Sequence, residues 1–234
     1  MLFRSFIGIL GHDLRNPLAT ILTGLGLLDG LPDRQTKIIT KLTRSAHRME
    51  AMIRDVLDFA RGRLGGGIPV ALTRCDLRGI CEDAVEEMKQ AYPARSISFE
   101  GVGDLRGEWD PDRVEQVLSN LLGNAVTHGA DPILVTSRDE GDEVVTTVHS
   151  QGPPIPTALI PTLFEPFNST ARVAGKPGEG LGLGLYIASE IVHAHGGTIS
   201  VSSVQGEGTA FAIRWPRTHP PSVPSSTPRL SDNY

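Results

Sequence analysis

Asn120 and Asn124 stand four residues apart in the segment Gln116-Val117-Leu118-Ser119-Asn120-Leu121-Leu122-Gly123-Asn124-Ala125. At about 100° per residue, Asn120, Asn124, Thr127 and His128 fall within roughly a 100° arc, beside an apolar stripe of Val114, Val117, Leu118, Leu121, Leu122 and Ala125. Two carboxamides one turn apart suit a hydrated cation, because Mg²⁺ prefers oxygen ligands and keeps several of its waters; the other reading is a polar helix edge in solvent. A glycine run, Gly178-Glu179-Gly180-Leu181-Gly182-Leu183-Gly184-Leu185, leads into apolar positions Leu185, Ala188, Ile191 and Val192 at helical spacing. Glycines at a helix start let backbone N–H groups approach a phosphate, whose charge the helix dipole favours. The run is not of the Rossmann type, since no strand feeds it, nor a P-loop, since no Lys-Ser or Lys-Thr pair follows. The third candidate is His12, in His12-Asp13-Leu14-Arg15-Asn16-Pro17. Phe3, Ile7, Leu10, Leu14, Leu18, Ile21, Leu25 and Leu28 share roughly an 80° arc, and His12 projects nearly opposite. A histidine displayed this way is a phosphate-accepting nucleophile, a metal ligand or an ordinary surface residue.

The elements that must carry these groups fall into two kinds. Two long amphipathic helices come first, the second bearing Ile39, Leu42, Ala46, Met49, Ile53, Val56 and Ala60, with a turn at Leu31-Pro32-Asp33 between them. A hairpin with one apolar stripe per helix cannot bury both alone, so a second copy completing a four-helix bundle is expected. Residues 1–64 are assigned to this hairpin and 65–69 to a glycine-rich hinge. Residues 70–216 change pattern. Helices are expected at Leu77 to Ala91, Asp110 to His128 and Gly182 to His195, with strands at Ser96 to Glu100, Ile133 to Ser137, Val144 to His149, Thr198 to Ser203 and Thr209 to Trp215. That order implies a two-layer α/β sandwich. Gly152 to Gly180, rich in proline, reads as a long functional loop, and 217–234, rich in Pro and Ser, as a disordered tail.

Composition narrows the class of partner. Lys plus Arg number 22 against 27 Asp plus Glu in 234 residues, a net charge of −5, which leaves no electrostatic footprint for nucleic acid or an anionic membrane. No apolar run approaches the roughly 18 residues of a membrane span, and the N-terminus lacks a signal-peptide layout. Cys75 and Cys81 fit neither a disulfide framework nor a metal spacing. A cytoplasmic setting is expected. Only 11 residues precede His12. That is too short for a further domain, so the chain is expected to be the core of a longer protein or to act with a separate partner.

In order along the chain, these motifs resemble those of the two-component sensor histidine kinases. Phe6 to Leu18 is similar to the phosphoacceptor motif, Gln116 to Ala125 to the N box and Leu163-Phe164-Glu165-Pro166-Phe167 to the F box. Gly180-Leu181-Gly182-Leu183-Gly184-Leu185-Tyr186-Ile187 is similar to the second glycine box, with Gly206-Glu207-Gly208-Thr209-Ala210-Phe211 closing the series. The resemblance implies a dimeric four-helix bundle followed by an ATP-binding sandwich of the GHKL, or Bergerat, type shared with gyrases and Hsp90-type chaperones. It implies that His12 attacks the γ-phosphate of ATP, that Asp13 orients the imidazole, and that Asn16 positions water for a phosphatase reaction. It places Mg²⁺ on Asn124 with Asn120 beside it, and nucleotide contacts on Asn120, Asn124, His128, Ser150, Gly152, Phe164, Gly180, Gly182, Leu183, Gly184 and Thr209. Its implied partners are a second copy of the chain, a response-regulator receiver domain whose aspartate receives the phosphoryl group, and a sensor module that lies upstream in a longer protein or on a separate partner.

One substitution separates this reading from its nearest enzymatic rival, and two others depart from the family pattern. ATP-hydrolysing relatives carry a glutamate base where Asn120 stands; an amide cannot take a proton from water, which favours transfer over hydrolysis. Where the family pattern has an adenine-binding aspartate, the chain reads Val148-His149-Ser150-Gln151-Gly152. A hydroxyl lacks the charge assistance of a carboxylate, which implies adenine recognition that is weaker or shared with Thr209. The position three after Asn124, often a basic residue in relatives, is Thr127, which leaves phosphate contact to His128 or to Lys176 and Arg172 in the loop from about Pro156 to Glu179, by the resemblance a mobile ATP lid. The alternatives are a degenerate kinase serving as dimeric scaffold or phosphotransfer module, and a metal-binding protein using His12, His47, His193 and His195.

Overall fold

Period-two burial along the strands and period-3.6 burial along the helices generate one α/β sandwich, seen in a computed structural model that describes residues 20, 21, 23, 39, 42, 45, 46, 49, 51–60, 67–168 and 181–218. His12, Asp13, Asn16, the turn at Pro32, Arg172, Lys176, Gly180, residues 65 and 66 of the expected hinge and the tail beyond 218 lie outside the described residues.

Helical residues 51–60 form α1. Then follow β1 (Thr73–Asp76), α2 (Leu77–Ala91), β2 (Ile97–Val102), β3 (Arg106–Trp109), α3 (Pro111–His128), β4 (Ala130–Asp139) and β5 (Glu143–Gln151). A 3-10 helix at Thr157–Thr162, α4 (Gly184–Ala194), β6 (Thr198–Val204) and β7 (Gly208–Pro216) complete the order. The main sheet runs β2-β4-β5-β7-β6; β2 and β4 are parallel and the other neighbours antiparallel.

One sheet face carries Ile133, Val135, Val144, Val148, Phe211, Ile213 and Trp215, all buried against the helical layer of α2, α3 and α4. Leu121, Leu122, Ile187 and Ile191 are fully buried on the helix side; side chains of this kind contribute about 1.5–3 kcal/mol each. Ser137 and Thr146 enter this core as a pair, their hydroxyls 3.0 Å apart, which satisfies polar groups that would otherwise be costly to bury. Cys81 meets Ser137 at 3.5 Å, and burial pushes its thiol up to about 11. Both cysteines are free.

The start of α3 is fixed with particular care, and α3 carries both asparagines. Asp110 caps it by accepting from the Arg113 N–H at 3.2 Å, with Pro111 at the first turn. The Asp110 N–H donates to His195 Nε2 at 3.0 Å, so Nδ1 holds the proton and donates to the Ile191 carbonyl at 2.8 Å. Wholly buried against the edge of Trp215, His195 is a structural tie between α4 and α3. The metal-binding alternative loses one of its histidines here, and the described residues contain no cluster able to hold a metal through His, Cys, Asp or Glu.

Three features differ from the sequence reading. β1 and β3 pair into a separate two-stranded sheet; each has four residues, and β1 is mostly exposed, so neither shows apolar alternation. The proline-rich loop contains the 3-10 helix. Third, Ile39 and Ile53 of the second-helix stripe remain half-exposed, joined by Leu57. The face turned inward is roughly the opposite one, with Met52 and Asp58 buried and Asp55 and Phe59 partly so.

Candidate nucleotide site

Between α3 and the glycine-led start of α4 lies a cavity of about 610 Å³. α3 lines it with Asn120, Asn124, Thr127 and His128, the polar arc expected from helical phase, together with Ser119 and Gly123. Ser150 and Gln151 enter from β5, Thr209 and Phe211 from β7, and Leu181, Gly182, Gly184 and Leu185 from the approach to α4.

Each wall has a local cause. No side chain caps α4 at Leu183, so the orphan N–H groups of its first turn are available to an anion. Gly182 has φ 68°, a conformation glycine adopts without strain, and its carbonyl accepts from Phe167 N–H at 2.9 Å. Asn120 Nδ2 donates to the Gly184 carbonyl at 3.1 Å, tying α3 to the same turn. The Asn124 carboxamide has no hydrogen-bond partner among the described residues, although it lines the cavity. A free amide oxygen beside uncapped backbone donors fits a hydrated divalent cation carrying phosphate oxygens.

Of the residues expected at a nucleotide, Asn120, Asn124, His128, Ser150, Gly182, Gly184 and Thr209 line the cavity. Gly152, Phe164 and Leu183 do not. Leu183 is buried in the core as the anchor of the glycine run; Phe164 packs edge-on to Phe211, centroids 6.3 Å apart; Gly152 sits in the bend after β5. Sequence reasoning missed Asn168, Ile155 and Leu163, apolar or amide residues of an aperiodic loop. It also missed Asp55, whose signal was available in its helical phase opposite the stripe.

Asp55 belongs to α1, which docks on the sandwich through two contacts. Asp58 accepts a two-pronged ion pair from Arg113, at 2.7 and 3.2 Å, and a bond from Gln116 Nε2 at 3.1 Å. Removing one partner of such a buried pair costs about 3–5 kcal/mol. Phe59 meets Phe167 and Tyr186 edge-on, with centroids 5.0 and 5.8 Å apart. The docked helix brings Asp55 into the cavity wall. Burial, and then the charge of Asp58, push its carboxyl up to about 7 from an ordinary 3.8, with Arg54 opposing. Below 3.8 the group is protonated whether docked or free, so its ionisation costs docking nothing. As pH rises towards 7 the free helix releases a proton that the docked helix retains, so docking weakens across that window. Asp55→Asn is expected to flatten this dependence. Hydrogen exchange of the 51–60 amides, corrected for intrinsic rates, should lose protection between pH 4 and pH 7 in the parent chain and hold steady in the variant.

The comparisons agree with this geometry. Residues 4–65 match the family model for the His Kinase A (phospho-acceptor) domain, and residues 109–219 that for histidine kinase-, DNA gyrase B- and HSP90-like ATPases. A bacteriophytochrome of Pseudomonas aeruginosa is 36% identical over 215 residues, covering 91% of this chain but 29% of that protein. The chain thus spans less than a third of that relative. The solved catalytic domain of histidine kinase ThkA is 31% identical with a TM-score of 0.54, covering 63% of this chain and 97% of the other. ThkA in complex with response regulator protein TrrA gives 27% identity and a TM-score of 0.61, over 89% of this chain and 60% of the other. With a phosphoacceptor match ahead of an ATPase match, and a cavity walled by two asparagines and a glycine-led helix, the chain belongs to the two-component sensor histidine kinase family.

Proposed function

We propose that this chain transfers the γ-phosphoryl group of Mg-ATP to His12, and that the phosphoryl group then passes to an aspartate on a response-regulator receiver domain. The observation that carries the reading is the convergence of Asn120, the unpartnered Asn124 and the uncapped start of α4 on one end of a single cavity. Asn124 holds the cation, with Asn120 beside it, and the backbone donors of Gly184 and Leu185 hold phosphate oxygens. When bound, Mg²⁺ neutralises charge on the phosphates. A neutral imidazole nitrogen of His12 attacks phosphorus as the bond to the β–γ bridging oxygen breaks, and ADP leaves. Asp13 accepts the other ring proton and holds the reactive tautomer. Asn120, an amide, cannot deprotonate water, which disfavours hydrolysis.

The half-exposed Ile39, Ile53 and Leu57 support a homodimer in which a second copy covers this stripe. Among the described residues no helix is long and apolar enough to cross a membrane. Asn16, four residues after His12 in sequence, is assigned to positioning water if the chain also dephosphorylates its partner. Transfer is tested by labelling the chain with γ-labelled ATP, removing nucleotide and adding purified receiver domains. One receiver is expected to take the label within minutes, and its Asp→Asn variant none. Label that stays on the chain with every receiver contradicts the second step.

A further inference from the structure

We propose that Ser150 makes the base end of this cavity accept 6-oxopurine triphosphates, such as GTP and ITP, alongside ATP as phosphoryl donors. The proposal rests on reading the cavity as a nucleotide site.

The cavity has two chemically distinct ends, and α3 measures the distance between them. Asn120 touches the uncapped start of α4. Nine residues on, about 13 Å along the axis, Gly129 lies against Ser150, where a Cβ on the glycine would fall 2.4 Å from the serine Oγ. A polyphosphate belongs at the first end, with its amides and backbone donors. The second end is walled by Ser150, Thr209, Phe211, Ile155 and Leu163, of which Phe211 and Leu163 are buried. It suits a flat aromatic base.

Ser150 is the group that meets the edge of that base. It is 5% exposed and lines the cavity, yet its hydroxyl has no hydrogen-bond partner among the described residues. Its neighbour across the sheet, Thr209, is already engaged. Ile155 N–H donates to Ser203 Oγ at 2.8 Å, and Ser203 Oγ lies 2.7 Å from Thr209 Oγ1. The single carboxylate among the described lining residues is Asp55. Its helix is held by Arg113 and Gln116, one to two turns before Asn120, which places it towards the phosphate end.

Among the described residues the base end therefore carries no carboxylate. A carboxylate accepts from a 6-amino group and repels a 6-carbonyl, whereas a hydroxyl accepts from the first or donates to the second by rotating one bond. A site that leaves no buried polar group unpaired with either base has lost the usual source of strong discrimination. The transfer step is the same with either donor: the N–P bond to His12 forms, the bond from the γ-phosphorus to the bridging oxygen breaks, and the nucleoside diphosphate departs.

The test compares the full chain with equal concentrations of γ-labelled ATP, GTP and ITP in Mg²⁺, with direct binding of ADP, GDP and IDP measured in parallel. Labelling by GTP or ITP is expected within about tenfold of that by ATP. Ser150→Asp should widen the ATP-to-ITP ratio by at least about tenfold, the loss expected when a buried acceptor faces another acceptor. Ser150→Ala, which removes donor and acceptor together, should weaken both nucleotides and leave their ratio unchanged. If GTP and ITP both label a hundredfold less than ATP, the specificity proposal is overturned while the nucleotide reading stands. If no diphosphate binds at all, the nucleotide reading itself is overturned.

Discussion

Asn124→Ala is expected to cut ATP-dependent labelling of the chain by about a hundredfold or more while leaving its melting temperature nearly unchanged. The separation follows from the structure. The Asn124 carboxamide bonds to no described residue, so its removal breaks no internal hydrogen bond, and a surface change of that kind usually stays within about 0.5 kcal/mol. What it removes is an oxygen ligand for the cation that shields the phosphates, and electrostatic stabilisation of phosphoryl transfer is where catalysis of this class resides. Asn120→Ala should behave differently, because Asn120 also holds the Gly184 carbonyl. A hydrogen bond contributes about 0.5–1.5 kcal/mol, so this variant should lose activity and stability together. Labelling as a function of Mg²⁺ concentration, read beside a thermal melt, distinguishes the two. Normal labelling by Asn124→Ala would remove the cation assignment.

His12→Gln is expected to abolish labelling while leaving nucleotide binding intact. Glutamine keeps polarity and approximate size but has no ring nitrogen with a free lone pair at neutral pH, and its amide nitrogen is not a nucleophile. The contrast with Asn124→Ala is diagnostic: one variant should bind nucleotide and fail to accept phosphate, the other should bind the cation poorly and fail to donate. Equilibrium binding of ADP in the presence and absence of Mg²⁺ reads the first property, and labelling reads the second.

Much of this architecture was legible in the residues, and the parts that were not share a physical reason. α2 was read with the ends the structure gives, because Asp76 caps its start with a bond to Arg78 N–H at 2.9 Å and its apolar face is unbroken. The polar arc of α3 was legible because helical phase alone brings Asn120, Asn124, Thr127 and His128 to one wall. Phe164 and Leu183 show the limit of a motif. Both belong to motif segments, yet they hold the wall in place from behind, a distinction that spacing cannot draw. The cavity's apolar end was illegible for another reason: Ile155 and Leu163 come from an aperiodic loop, and only the tertiary fold brings them to Phe211. Asp58 and Asp55 were passed over because acids on a helix face normally read as solvated charge. Arg113, 55 residues away in sequence, gives Asp58 its buried partner.

Phosphate is expected to move from ATP to His12, and mapping the phosphorylated residue reads that transfer without an intermediate assay. After incubation with Mg-ATP, alkaline digestion conditions and mass spectrometry should place a single phosphate on the peptide containing His12, in an acid-labile, base-stable N–P bond. Phosphate found instead on a serine, a threonine or another histidine such as His47, or labelling equal to the parent in His12→Gln, would rule out His12 as the phosphoacceptor.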